Sequence, residues 1–277
     1  MQMPAIRFDG KTVLITGASS GIGRETALAF AAAGANVVLV ARRIAPLNKV
    51  ASRARAEGAV ALAVGTDVTD VASVRACFRK AVARFGSIDI VVNNAGLLIP
   101  ATVDTLVPGD LRQMLEVNLF GALHVMQAAL KQMRRQTEGG HIVNVASLAG
   151  RRGFTPLGGY CATKFALVGL TEALRTELIG DNVGVSLVLP GVIDTPMAEA
   201  AAANPATAEI WPQSLNMPAQ WVVWAIFAAA RLKLAEVAVP PGGALVEKIA
   251  ALAPGATDIV LRGMAGIARR GGSRRKN

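Results

Sequence analysis

At 277 residues, with 52% hydrophobic residues but only 4% aromatics, the chain has room for one large or two small domains. Their core must be built from Ala, Val, Leu and Ile, which suits buried parallel strands covered by helices. Its two cysteines, Cys77 and Cys161, supply neither a disulfide framework nor a zinc set, and the net charge of +10 is no argument for nucleic-acid binding because Arg262, Arg269, Arg270, Arg274, Arg275 and Lys276 crowd the last segment.

The first residues show no charged region followed by an apolar stretch and a cleavage site, so no secretory signal is expected and a reducing cytosol is the simplest location. The apolar run TVLIT (12–16) reads as the first strand. It passes directly into TGASSGIG, with Gly17, Gly21 and Gly23, and then into a helical pattern over Ile22 to Ala33. Glycines let a backbone turn sharply and approach a pyrophosphate, while the following helix offers free N–H groups and the positive end of its dipole. The second strand, VVLVA (37–41), ends at Ala41, where an acid would favour the free ribose 2'-hydroxyl of NAD. Arg42 and Arg43 follow instead, and a guanidinium fork suits a 2'-phosphate, so NADP(H) is the expected cofactor, with Arg42 its first contact.

AVALAV (59–64), DIVVN (89–93), HIVNVA (141–146), VSLVLP (185–190) and EVAVP (236–240) continue the series to seven strands. Helical patterns lie between them over Val71 to Phe85, Asp110 to Arg135, Phe165 to Ile179 and Ala219 to Ala230. The uncharged stretch from Ile210 to Ala230 is long enough to span a bilayer, but Pro212, Gln213, Asn216, Pro218 and Gln220 make it a loop followed by a soluble helix. The alternation predicts a single-domain α/β doubly wound Rossmann fold, a parallel sheet of about seven strands with helices on both faces. This domain is expected over 1–262, ending in a helical extension, with a basic, disordered tail over 263–277.

Tyr160, the only tyrosine, stands four residues before Lys164. On a helix this spacing presents phenol and ammonium to one small volume. Ionising a phenol near neutrality requires roughly 3 pKa units, about 4 kcal/mol, and one unit charge at about 4 Å contributes on the order of 4 kcal/mol at an effective dielectric of 20. A lysine is thus of the right magnitude to draw the phenol down. Ser147, at the end of the HIVNVAS strand, can hold a carbonyl oxygen at the carboxyl edge of the sheet.

TGASSGIG (16–23), Asp67-Val68, NNAG (93–96), Asn118 within VNLFG, Ser147, YCATK (160–164) and PGVIDTPM (190–197) occur in order and at compatible spacing. Over Thr12 to about Met197 the chain thus resembles the short-chain dehydrogenase/reductase family, in the subgroup with a TGxxxGxG loop and a YxxxK motif. The resemblance implies a catalytic tetrad of Asn118, Ser147, Tyr160 and Lys164. Tyr160 would be the acid in carbonyl reduction and the base in alcohol oxidation. Lys164 would hold the nicotinamide ribose and lower the phenol pKa, Ser147 would position the substrate oxygen, and Asn118 would anchor a water leading to Lys164.

The same resemblance implies cofactor contacts from Gly17, Ser19, Ser20, Gly21, Ile22 and Gly23, from Arg42, Arg43, Asp67 and Val68, and from Asn94, Ala95 and Gly96. Pro190, Gly191, Ile193 and Thr195 would meet the nicotinamide, beside Tyr160 and Lys164. No metal is expected, and His124 and His141 are read as packing or surface residues.

Leu97, Leu98, Ile99, Phe154, Leu157, Met197, Trp211 and Leu215 read either as an apolar pocket for a hydrophobic ketone, aldehyde or secondary alcohol or as ordinary core packing. The segment from Glu236 to Met264 resembles the C-terminal extension of reductases that act on steroids, retinoids or other lipids, which implies a substrate of that kind. Family members commonly pair the 110–135 helix and the helix after Tyr160 between subunits, so a homodimer or homotetramer is expected. No specific nucleic-acid binding is expected; peripheral membrane contact through the basic tail stays open. Two other readings stand beside the reductase: a 3-ketoacyl thioester reductase whose arginines attract an acidic carrier, and a non-catalytic NADP-sensing or nucleic-acid-binding protein.

Overall fold

A computed structural model describes residues 6–204, 207, 216–243, 252 and 255. The basic tail, its boundary at 262, Trp211, Leu215 and all of the C-terminal extension except Leu252 and Gly255 lie outside the described residues. Seven parallel strands are ordered β3-β2-β1-β4-β5-β6-β7. They are β1 (Thr12–Thr16), β2 (Asn36–Ala41), β3 (Ala61–Gly65), β4 (Ile90–Asn93), β5 (Gly140–Val145), β6 (Val183–Pro190) and β7 (Glu236–Val239). The helices are α1 (Gly21–Ala32), α2 (Ile44–Ala56), α3 (Val71–Phe85), α4 (Pro108–Leu115), α5 (Ala122–Met133), α6 (Gly158–Glu177), α7 (Pro196–Ala203) and α8 (Ala219–Leu232).

Both faces of the sheet are covered, and the period of two along the strands distributes side chains between two cores. Val13, Ile15, Val37 and Leu39 join α1, α2 and α8 on one side. Leu14, Val38 and Val40 join α3, α5 and α6 on the other. Among the few aromatics, Phe8, Phe30 and Phe227 form one group with centroids 4.4 to 5.0 Å apart, fastening α1 to α8. Asn93 Nδ2 donates to Asn144 Oδ1 (3.1 Å) and to the Ala122 carbonyl (2.9 Å), and Asn144 Nδ2 donates to Thr171 Oγ1 (2.9 Å). This buried polar chain ties β4 and β5 to α5 and α6. Arg151 donates to Glu172 of α6 and to Glu236 of β7, joining the active-site side of the sheet to its last strand.

Four expectations need correction. Helix α2 was not among the predicted elements, although Leu47, Val50, Ala51 and Ala54 have helical spacing and are buried; Pro46 and three basic residues obscure the pattern. Helix α7 was likewise absent from them. Helix α6 begins at Gly158 rather than Phe165, so Tyr160 and Lys164 lie within its first two turns. The 110–135 helix is interrupted by a π-helical stretch, Glu116–Gly121, between α4 and α5.

His141, read as packing or surface, is buried and bonded to Ser186 Oγ at 2.7 Å. Burial first, and Lys233 second, push its pKa down from 6.5 to about 4. As pH falls, the unfolded chain takes up this proton before the folded one, so stability present above pH 6.5 is lost progressively down to pH 4, by about 3 kcal/mol. Urea titrations at pH 7 and pH 4.5 should show this loss, and His141→Asn should have a correspondingly smaller difference between the two pH values.

Candidate active site

In a doubly wound sheet a ligand meets the carboxyl ends of the strands where the order reverses. Here that point lies between β1 and β4. The two strands part above it, and Thr16 holds the gap. Its Oγ1 accepts the N–H groups of Asn94 (2.9 Å) and Ala95 (3.0 Å), and its carbonyl accepts Asn94 Nδ2 (3.0 Å).

On one side of this point lies a cavity of about 300 Å³, lined by Gly17, Ser19, Ser20, Gly21 and Ile22, by Arg42 and Arg43, by Asp67 and Val68, and by Asn94, Ala95 and Gly96. Gly17 has φ +68°, which bends the chain away from β1 into the loop. Gly23 does not face the cavity: a Cβ there would lie 2.3 Å from the Gly17 carbonyl oxygen, so the loop closes onto α1 only because that carbon is missing. Ser20 is the N-cap of α1 and makes no side-chain cap bond, and the first turn contains no acid. Unbonded helix-start N–H groups and the dipole are a natural seat for a pyrophosphate, so this donor set fits a dinucleotide. Arg42 and Arg43 are exposed at the far end. Asp67 has its carboxyl held below the usual range by the Thr69 N–H above all, then by the Thr69 hydroxyl, with Arg42 adding its charge.

The second cavity, about 660 Å³, shares Ile22, Asn94, Gly96, Thr195 and Met197 with the first, so the two form one cleft. Ser147, Tyr160, Lys164, Pro190, Gly191 and Ile193 face it. Thr195 caps α7 by accepting the Ala198 N–H and stands opposite Gly21. Lys164 Nζ donates to the Val145 carbonyl (3.2 Å) and lies 5.6 Å from the centre of the Tyr160 ring. Burial lowers its pKa from 10.5 to about 8. The phenol moves the other way: burial drives its pKa up, and a hydrogen bond with Ser147 only partly opposes the rise. Lys164 is not among the causes of this shift, so the expected downward pull is not seen, and burial favours the protonated phenol.

Asn118 does not reach the cleft. Its Oδ1 accepts the Leu97 N–H (2.7 Å), and its Nδ2 donates to the Leu97 carbonyl (2.8 Å) and Thr163 Oγ1 (3.0 Å). The side chain holds the loop after β4 against α6. Gly96 is close to both Asn118 and Lys164: a Cβ there would lie 3.5 Å from Asn118 Oδ1 and 3.8 Å from Lys164 Nζ.

Of the anticipated substrate walls, Leu98, Phe154, Leu157 and Met197 line the larger cavity, whereas Leu97 and Ile99 pack around Met114 and Tyr160. Leu148 and Met217, which bound the segments 148–157 and 197–217 expected to supply substrate walls, also line it. Cys161 was also missed: its Sγ accepts the Phe154 N–H at 3.4 Å, holding the loop that carries this wall. Its position directly after Tyr160 was the only available signal.

Comparison with known proteins gives a consistent result. The family described as short chain dehydrogenase matches residues 11–206. A sorbitol dehydrogenase from Cereibacter sphaeroides is 42% identical over 191 residues, 68% of this chain and 73% of that protein. A 3beta-hydroxysteroid dehydrogenase from Mediterraneibacter gnavus is 36% identical over 219 residues, 78% of each. The crystal structure of a short chain dehydrogenase/reductase from Burkholderia phymatum in complex with NAD superposes with a TM-score of 0.82 at 30% identity, covering 92% of this chain and 96% of that one.

Because the atom that a Cβ at position 23 would strike belongs to the backbone, Gly23→Ala should destabilise the chain by about 1–3 kcal/mol. A urea titration of the variant against the parent protein checks this.

Proposed function

The chain belongs to the short-chain dehydrogenase/reductase family of NAD(P)(H)-dependent oxidoreductases acting on CH–OH groups, and from this premise we propose that it is an NADP(H)-dependent reductase of hydrophobic ketones or aldehydes. The observation that carries the substrate half is the larger cavity: about 660 Å³, walled mainly by Leu, Ile, Val, Ala, Met, Phe and Pro, with Ser147 and Tyr160 among seven polar residues that also line it. A polyol, the substrate in the name of the sorbitol dehydrogenase, would bury several hydroxyls against these walls without partners, and each buried unpaired polar group costs about 1–3 kcal/mol. A steroid-sized or lipid-like carbonyl compound places apolar surface there and a single oxygen at Ser147 and Tyr160.

The nicotinamide, when bound, supplies the hydride. Tyr160 donates the proton to the substrate oxygen, which its upward-shifted pKa keeps available. Ser147 holds that oxygen, and Lys164 stabilises the phenolate as the proton leaves. Lys164 would also hold the nicotinamide ribose, with Pro190, Gly191, Ile193 and Thr195 at the carboxamide. Arg42, with Arg43, takes the 2'-phosphate, supported by the absence of an acid at Ala41 and by the position of both guanidinium groups at the end of the smaller cavity. Phe120 and Phe165 are exposed on the π-helical stretch and on α6. They support assembly of at least a dimer across these helices, and gel filtration giving monomer alone would reject it. Among the described residues no helix is long and apolar enough to cross a membrane.

Tyr160→Phe should lower turnover about 100- to 10,000-fold with NADPH affinity retained, in a spectrophotometric assay on steroid, retinoid and aliphatic ketones; undiminished turnover defeats the assignment. Fluorescence titration should give tighter binding of NADPH than of NADH, and Arg42→Ser should remove most of the difference. Equal affinities in the parent protein would reject the role given to Arg42. Below pH 8 Lys164 is cationic and above it neutral, so kcat/KM for reduction should fall as pH rises through about 8.

A further inference from the structure

We infer that His124 is a positioning residue for the adenosine half of the cofactor, acting through one peptide group on the carboxylate of Asp67. The inference rests on the dinucleotide reading given above. His124 lies on α5, half-buried, and faces away from the catalytic groups toward the turn that follows β3. Its Nδ1 is 3.0 Å from the Val68 carbonyl oxygen. A carbonyl can only accept, so Nδ1 carries the hydrogen and donates it.

The Val68 carbonyl and the Thr69 N–H belong to the same planar peptide. That N–H donates to Asp67 Oδ1 at 3.0 Å, and the Thr69 hydroxyl donates to the same oxygen at 2.8 Å. Fixing the carbonyl therefore fixes the N–H on the opposite edge of the plane, and a hydrogen bond at one end of a peptide strengthens the bond at the other. Asp67 and Val68 both line the smaller cavity.

The same turn is gripped a second time, from the π-helical stretch that precedes α5. A Cβ at Gly121 would lie 2.7 Å from Val68 Cγ2, so the Val68 side chain packs directly on the backbone at the end of the π-helical stretch. The hydrogen bonds of that stretch span one residue more than those of an α-helix, so it changes how far the following residues are rotated about the axis, and with them the direction in which His124 points. The adenosine end of the cleft is thus built from the β3–α3 turn and held in register by a residue of α5.

The two amide side chains separate this role from simple packing. Asparagine can place its Nδ2 close to where histidine carries Nδ1, whereas glutamine carries its amide one carbon further out. The experiment measures dissociation constants for NADPH and NADH by fluorescence titration in the parent protein and in His124→Asn, His124→Gln and His124→Leu. Thermal melting and far-ultraviolet circular dichroism monitor the fold.

The expected result is weakening of both dinucleotides by about fivefold, the loss of one ordinary hydrogen bond, in His124→Leu and His124→Gln. His124→Asn should stay within about twofold of the parent protein. Unchanged affinity in a folded His124→Leu, or equal effects of Asn and Gln, overturns the inference while leaving the dinucleotide reading intact. If His124→Leu does not fold, the contrast between Asn and Gln decides in the same way. Failure of the parent protein to bind either dinucleotide removes the reading itself, and the inference falls with it.

Discussion

The cleft depends on two neighbouring strands that must stay paired along their length and part at their ends. Sheet hydrogen bonds join β1 to β4 as far as Ile15 and Val92. Beyond them the chains turn to opposite sides, and Thr16 replaces the ladder with three bonds to Asn94 and Ala95. The glycine loop, the Asn94 turn and the start of α1 are positioned from this one residue. Thr16 is fully buried while Asn94 and Ala95 are partly so, so these bonds are shielded from water on the side of Thr16.

The two ionisable groups beside that opening illustrate how burial and charge oppose each other. A fixed ammonium should draw a phenol toward ionisation, yet the surroundings that bring Lys164 and Tyr160 together also remove water from both. Desolvation penalises each charged form separately. It lowers the ammonium toward neutrality and keeps the phenol protonated. The result is a phenol that keeps its proton beside an amine whose positive charge can offset the phenolate left when that proton is given up.

Much of this was legible in the sequence because it depends on period and on glycine. The seven strands were visible as apolar runs, and their ends moved by no more than two residues in the structure. The residues lining the smaller cavity follow from TGASSGIG, Asp67-Val68 and NNAG, whose spacing reflects the turns they make. Other features leave little trace. The one-residue excess of the π-helical stretch changes no composition, and α6 begins with Gly158 and Gly159, residues that argue against a helix. The missing Cβ of Gly159 leaves room for the Met114 methyl group, which would lie 2.8 Å from it. Asn118 was assigned from its motif, but that its side chain is taken up by Leu97 and Thr163 could be seen only in three dimensions. A lone histidine such as His124 gives no sequence signal, because its carbonyl partner is a backbone atom 56 residues away.

Parallel pairing has a further consequence, for the order in which the molecule assembles. Adjacent parallel strands cannot be joined by a tight hairpin, and Thr16 and Asn94 are 78 positions apart in the chain. Their meeting requires closure of a long loop before any contact compensates for the lost entropy, which is the situation in which chains fold slowly. Local βαβ units such as β1-α1-β2 can form within a short span, but the seam between β1 and β4 must wait for two such units to dock. No single βαβ unit can therefore make the cleft: it exists only where residues far apart in the chain have been brought together at this seam.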